Sequence, residues 1–374
     1  MVIITTREQK GSFMETIKSI VILFGGISSE HEVSCVSAAS VLEHIDREKY
    51  DIRTIGITKA GNWFLTDSPA SDISDGSWEQ DENNRRAFIV PDRGTGGIMA
   101  ENADGTFEVI RTDAVFPVLH GKNGEDGTMQ GLLQLAGIPF IGSDTAASSA
   151  SMDKAITKAM IEHRGYVDQA RCYVVHQTAY DRDRNAQLEA VNSFFADTYP
   201  LFVKPANAGS SVGISKVKRA EDLEKALDLA FAEDCKVLVE EAITGREIEV
   251  AVLGNEEPQA SCIGEIFAAN EFYDYNAKYE NSKSQTAIVR DLEPEKEQEI
   301  KDKAISVYET MGCSGMSRVD FFLEDGGRVV FNEINTLPGF TSISMYPKLW
   351  EASGIPYDEL IDRLIKLALD KYER

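Results

Sequence analysis

The stretch SRVDFFLEDGGRVVFNEIN, residues 317–335, carries the decisive pattern. Two alternating apolar and polar runs flank Asp325-Gly326-Gly327, which predicts a β-hairpin. Side chains alternate faces along a strand, so Arg318 shares a face with Asp320, and Glu333 with Asn335. A turn centred between Gly326 and Gly327 sets Asp320 opposite Glu333 and Arg318 opposite Asn335. Two carboxylates, an amide oxygen and a guanidinium then converge on one patch. Cross-strand carboxylates repel unless a cation lies between them, and oxygen-only ligands suit Mg²⁺ or Mn²⁺. A solvated face of a surface hairpin is the alternative. The following segment, TLPGF (336–340), argues against it, because its proline and glycine are out of place in plain strand.

Four other segments read as potential sites. In VKPANAGSSVG (203–213) a lysine ends a strand and a loop of small residues follows. Amides and one ammonium there can cradle phosphate oxygens, although Lys204 precedes the glycines and the loop is not of Walker type. A flexible hairpin loop explains the same residues equally well. In VLVEEAITGRE (237–247) a buried strand ends in Glu240-Glu241, which is costly without donors. An adenine amino group and ribose hydroxyls would supply them; two exposed strand-end carboxylates are the simpler reading of that segment alone. GGISSEHEVS (25–34) follows a strand but lacks GxGxxG, which disfavours a Rossmann site, and its serines suit helix capping. His120, in LHGKNGEDG, is a loop histidine that by itself signifies little.

Around these segments the chain reads as α/β. SIVILF (19–24) is a buried strand running into Gly25-Gly26, and helical spacing follows over 33–45. Residues 66–106, rich in Asp, Ser, Glu and Asn with three glycines at 94–97, read as a solvated insertion, and 181–192 as another solvated loop. Strand character returns over 113–119, and helices are expected over 128–136, around Leu223–Leu227–Ala230, from Pro294 onward and over about 357–371. Borders near 145 and 243 divide the chain.

The 374 residues predict two or three domains at roughly 100–200 residues each. A hydrophobic content of 43% supplies real cores and excludes wholesale disorder. The formal charge of −24 disfavours nucleic acid and anionic membrane as partners. An anionic substrate would need a local cluster of cations, since the global field is screened beyond ~8 Å at physiological salt. The five scattered cysteines show no CxxC spacing and read as thiols of a reducing cytoplasm. No apolar run approaches the ~18–20 residues of a membrane span.

Taken together, the segments resemble the D-alanine–D-alanine ligases of the ATP-grasp superfamily. The matching pieces are GGISSEHEVS (25–34), LHGKNGEDGTMQG (119–131), MDK (152–154), VKPANAGSSVG (203–213), VEEAITGRE (239–247), YDYNAKY (273–279), SRVDFF (317–322) and FNEINTLPGFTSISMYP (331–347), in family order. The resemblance implies a three-domain ATP-grasp fold. An N-terminal parallel α/β domain (18–145, with the insertion 66–106) would follow an extension over 1–17. Two α+β domains, 146–243 and 244–374, would sandwich ATP. The implied reaction joins two D-alanines through an acyl phosphate, for peptidoglycan precursor synthesis, in a cytoplasmic homodimer. By motif, Asp320, Glu333 and Asn335 would bind two Mg²⁺ ions, or Mn²⁺. Lys154, Lys204 and Ser211 would contact ATP phosphates, and Glu240, Glu241, Ile243 and Glu247 the nucleoside. Arg318 and the Gly339 amide would form the oxyanion site. Glu30 would hold the first D-alanine's ammonium, with His120 near its carboxylate. Ser210 and Tyr279 would link to Glu30, Lys278 would meet the transferred phosphate, and Ser344 and Met345 would face the second amino acid. A D-alanine–D-serine ligase is the alternative; apolar Met345 favours D-alanine, although apolar pockets discriminate such isosteres poorly.

Overall fold

The computed structural model describes residues 17–209, 212–267 and 285–373. Its N-terminal unit contains β1 (Lys18–Gly25), α1 (His31–His44), β2 (Tyr50–Ile57), β3 (Trp63–Thr66), α2 (Ala70–Asp75), β4 (Arg85–Ile89), β5 (Gly97–Glu101), β6 (Phe107–Arg111), β7 (Ala114–Val118) and α3 (Thr128–Ala136). Along β1, Ile20, Ile22 and Phe24 enter one core while Val21 and Leu23 enter another. Burial of both faces explains the unbroken apolar run. The seven strands lie in the order β6-β5-β4-β3-β2-β1-β7. Only β2-β1-β7 is parallel. The sheet is mixed rather than parallel throughout. The α1 crossover allows β1 and β2 to run parallel, whereas β2 to β6 pair antiparallel in sequence order.

Residues 66–106 are not a solvated insertion. They supply β4 and β5 to this sheet, and Ile73 and Trp78 are fully buried. The Trp78 ring meets Phe24 edge-on at 5.0 Å. Isolated apolar residues among Asp and Ser do the packing, so the composition hides it.

The next stretch contains α4 (Thr145–Met152), α5 (Lys154–Arg164), β8 (Asp168–Gln169), β9 (Cys172–His176), α6 (Gln177–Arg182), α7 (Arg184–Phe194), β10 (Leu201–Pro205), β11 (Ser215–Val217), α8 (Leu223–Phe231) and β12 (Lys236–Glu241). An antiparallel sheet runs β11-β10-β12-β9 and buries Leu223, Leu227 and Ala230 of α8 against Val203 and Val239. Residues 181–192 are helical rather than looped. Asp183 caps α7 by accepting from the Ala186 amide at 3.0 Å, and Tyr180 and Val191 are buried.

The chain continues through β13 (Arg246–Gly254), β14 (Gln259–Phe267), β15 (Gln285–Ile288), α9 (Pro294–Thr310), β16 (Gly315–Leu323), β17 (Val329–Asn335), α10 (Met345–Ala352) and α11 (Tyr357–Tyr372). Its sheet has the order β15-β14-β13-β16-β17-β8. The short β8 runs parallel to β17, and Ala147, Ile161 and Val167 share a core with Ile248 and Phe321. The sequence division assigned that region to the central unit; in the fold it packs on the C-terminal sheet. Leu360 and Leu364 of α11 occupy the same core as Ile20, Phe116 and Met316. This shared core holds the loops after β1 and β7 against the β16–β17 hairpin.

Candidate active site

The hairpin places Arg318 opposite Asn335 and Asp320 opposite Glu333, but not through the turn expected. Nearer the loop, Phe321 faces Phe331 and Leu323 faces Val329, so the turn is centred on Gly326. Asn332 is an extra residue, and this bulge restores the register at the site. Gly327, at φ +82°, takes the left-handed position of the loop.

The patch is strongly charged, with Asp320 and Glu249 buried and Arg318, Glu333 and Asn335 half-buried. The Arg318 Nε and Nη2 donate to the two Asp320 carboxylate oxygens at 2.8 and 2.7 Å. Nε also lies 3.1 Å from Glu249 Oε1 on β13. Burial works against the Arg318 cation, but Asp320 and Glu249 outweigh it and hold the guanidinium well above its usual range. The Asn335 amide donates to Asp320 at 3.2 Å, and Lys154 Nζ lies 3.9 Å from Glu333. Three carboxylates, Glu249, Asp320 and Glu333, thus meet one guanidinium and one ammonium. Carboxylate and amide oxygens are the donor chemistry that suits magnesium or manganese, although among the described residues no three acidic, histidine or cysteine side chains are gathered as an ion-holding group.

Lys154 reaches this patch because Asp153 caps α5. Its carboxylate accepts from the Ala155 and Ile156 amides at 3.0 and 3.1 Å and pairs with Lys236. The Lys154 ammonium also donates to the Ala208 carbonyl at 2.9 Å, tying α5 to the glycine loop. Ser210 and Ser211 of that loop lie outside the described residues, as do Lys278 and Tyr279.

Two cavities meet here. The smaller, about 100 Å³, is lined by Glu30, His120, Glu125, Lys154, Arg318, Glu333, Asn335 and Gly339, among others. Glu30 is buried, with Gly121 and Gly209 close against its carboxylate: a Cβ at either would lie 2.7 or 3.0 Å from Oε2. His120 Nδ1 faces the Leu337 carbonyl at 3.2 Å, and a carbonyl only accepts, so Nδ1 carries the proton. Nε2 then accepts from Ser37 Oγ at 3.1 Å. Burial pulls the imidazole's pKa down, against the raising effect of Glu30. Glu125 accepts from the Gly121 amide at 3.0 Å; burial and the Glu30 charge push its carboxyl up to about 8. Sequence reasoning gave Glu125 no role, although it stands inside the quoted motif 119–131.

The larger cavity, about 740 Å³, is lined by Lys154, Lys204, Glu240, Glu241, Ile243, Glu247, Arg318, Asp320 and Glu333 with others. Glu240 is buried, and Lys158 and Lys204 reach its two oxygens at 2.9 and 2.7 Å. Burial raises that carboxyl, but the two ammonium groups outweigh it and bring it down to about 2. In return Glu240 holds the half-buried Lys204 above its usual range against desolvation. Two protein cations thus accompany this carboxylate, one on each oxygen. Sequence reasoning missed Lys158, whose i,i+4 spacing from Lys154 was the available signal. Glu241 accepts from the Arg171 amide at 2.9 Å.

Ser344 and Met345 line neither cavity. The Ser344 hydroxyl turns back onto Thr341, accepting from its amide at 3.0 Å. Met345 is buried in the core, with its methyl against Gly264 of β14.

Comparison with known proteins follows the same outline. Residues 19–143 match the family description "D-ala D-ala ligase N-terminus" and residues 163–366 "D-ala D-ala ligase C-terminus". A D-alanine–D-alanine ligase of Ruminiclostridium cellulolyticum is 47% identical, covering 95% of this chain and 96% of the relative. One of Caldicellulosiruptor bescii is 49% identical, covering 94% and 95%. Among solved structures, the VanG D-Ala:D-Ser ligase of Enterococcus faecalis superposes with TM-score 0.84 at 38% identity, covering 94% of this chain and all of the other. The D-alanine–D-alanine ligase of Coxiella burnetii gives 0.81 at 35%, covering 95% and 96%. With both halves of the chain matched and the two chains aligned nearly end to end, this protein belongs to the D-alanine–D-alanine ligase family.

Proposed function

We propose that the chain joins two D-alanines into D-alanyl-D-alanine at the expense of ATP, for peptidoglycan precursor synthesis. The observation that carries this reading is the common wall: Lys154, Arg318 and Glu333 line both cavities. A phosphate handed from nucleotide to amino acid would cross there.

In this reading ATP occupies the larger cavity. Glu240, Glu241 and Ile243 meet the adenine, Glu247 the ribose, and Lys204 and Lys154 the phosphates. The first D-alanine occupies the smaller cavity, its ammonium on Glu30 and its carboxylate towards His120, whose orientation Ser37 and Leu337 hold. That carboxylate attacks the γ-phosphorus; the bond to the ADP oxygen breaks and an acyl phosphate forms. The second D-alanine's amine then attacks the acyl carbon and gives up a proton as the C–N bond forms. Arg318 and the Gly339 amide steady the oxyanion, and phosphate departs. Phosphoryl transfer depends chiefly on such positioning and charge neutralisation. Asp320, Glu333 and Asn335 would hold two magnesium or manganese ions, which neutralise phosphate oxygens when bound. Ser210, Ser211, Lys278 and Tyr279 keep the roles that the family motifs give them.

D-alanine is favoured over D-serine as second substrate by the relatives named D-alanine–D-alanine ligases at 47–49% identity, against 38% for the D-Ala:D-Ser ligase. The enzyme works as a cytoplasmic homodimer in the same reading; the five free cysteines accord with a reducing compartment. Phosphate release with D-alanine alone, followed by mass analysis of the product, tests the assignment. One phosphate per D-alanyl-D-alanine is expected. Preferential formation of D-alanyl-D-serine from an equimolar mixture would reassign the second substrate.

A further inference from the structure

We infer that Lys158, which does not line the nucleotide cavity, is a positioning residue that aims Glu240 at the adenine and so helps set base selectivity. The inference rests on the placement of adenine against Glu240 proposed above.

Lys158 stands one turn after Lys154 on α5, and its side chain is only 11% exposed. Its ammonium takes Glu240 Oε1 at 2.9 Å, while Lys204 takes Oε2 at 2.7 Å. With one cation on each oxygen the carboxylate cannot swing. Its remaining lone pairs are left for a ligand donor. The two lysines differ in what else they meet. Lys204 lines the cavity in which the proposed function sets ATP, and it also donates to Asn332 at 3.4 Å. Lys158 sits behind Glu240, on a turn fixed by Gln169, which donates to the Lys158 carbonyl at 3.0 Å, and by the Thr157 hydroxyl on the Ala150 carbonyl at 2.7 Å. When phosphates draw on Lys204, Lys158 remains as the counter-charge of a carboxylate that is 6% exposed. Without it, Glu240 would either be buried unpaired, at a large cost, or fold onto Lys204 and remove that ammonium from the phosphates. A fixed carboxylate accepts from the exocyclic amino group of adenine and repels the carbonyl that guanine carries at that position.

The test measures kcat/KM for ATP and for GTP at saturating D-alanine in the full chain carrying Lys158→Met, Lys158→Gln or Lys158→Arg, with thermal melts reporting the fold. Met and Gln should raise KM for ATP about tenfold, the effect of losing one hydrogen bond to a charged group. KM for D-alanine and the GTP rate should change little, so the ATP/GTP preference falls by the same factor, and Arg should restore it. A merely structural lysine would lower both nucleotide rates together and leave the ratio. If the Met variant fails to fold, the Gln variant decides. Glu240→Gln, measured alongside, separates the two layers. A ratio lost in Glu240→Gln but kept in a folded Lys158→Gln overturns the role of Lys158. A ratio kept in both overturns the adenine placement itself, and the role of Lys158 with it.

Discussion

Arg318 divides its guanidinium between Asp320 and Glu249, and this determines what its loss should do. With the oxyanion role proposed for it, Arg318→Met should lower kcat by about 10²–10³, while KM for ATP should shift by far less; steady-state kinetics in both substrates checks this. Arg318→Lys keeps the charge without the fork and should fall between. Glu240 yields a pH prediction. Its folded carboxyl titrates near 2 against an ordinary 4.5, so its contribution to stability is complete above pH 4.5 and is lost as pH falls towards 2. Melting temperatures of the parent and Glu240→Gln should therefore lie far apart at pH 6 and converge towards pH 3. A gap that stays constant would remove the ionised carboxylate from the account. At this scale the sequence was readable where partners are near neighbours or share a hairpin. It was silent on Glu249 and Lys158, whose partners lie on other elements.

The hairpin was legible because Asp325-Gly326-Gly327 interrupts two alternating runs and β-hairpins are local structures. The Asn332 bulge was not, since a bulge has no composition of its own and here offsets the shift of the turn by one residue. The same limit applies to residues 66–106, where one buried tryptophan outweighs a polar neighbourhood. Trp78→Ala should destabilise the protein by about 3–5 kcal/mol, read as a lower denaturation midpoint, although Trp78 lines neither cavity. A solvated insertion would lose almost nothing. Met345, near the end of a site motif, lies at the start of α10 with its methyl against Gly264, a contact between distant segments that no local pattern announces.

Across the whole molecule, three sheets bring the loops after β1 and β7, the end of β12 and the β16–β17 hairpin around two joined cavities. Strand, glycine turn and helix announced the α/β class, but only folding reveals that α11 returns to the N-terminal core and that α5 lies on the C-terminal sheet. The charge of −24 opposes an anionic nucleotide at long range, whereas Lys154 and Lys204 attract it at short range. Raising ionic strength from about 0.01 to 0.15 M shortens the screening length from about 30 to 8 Å. It should raise kcat/KM for ATP modestly; a steep fall would indicate that long-range attraction dominates. The central claim, that the two cavities pass a phosphoryl group from ATP to a D-alanine carboxylate, is tested most directly with D-alanine carrying ¹⁸O in both carboxylate positions. Mass analysis of the released phosphate should find one ¹⁸O atom per phosphate, because the oxygen that attacked phosphorus leaves with it. Phosphate free of label, formed together with the dipeptide, would contradict the account.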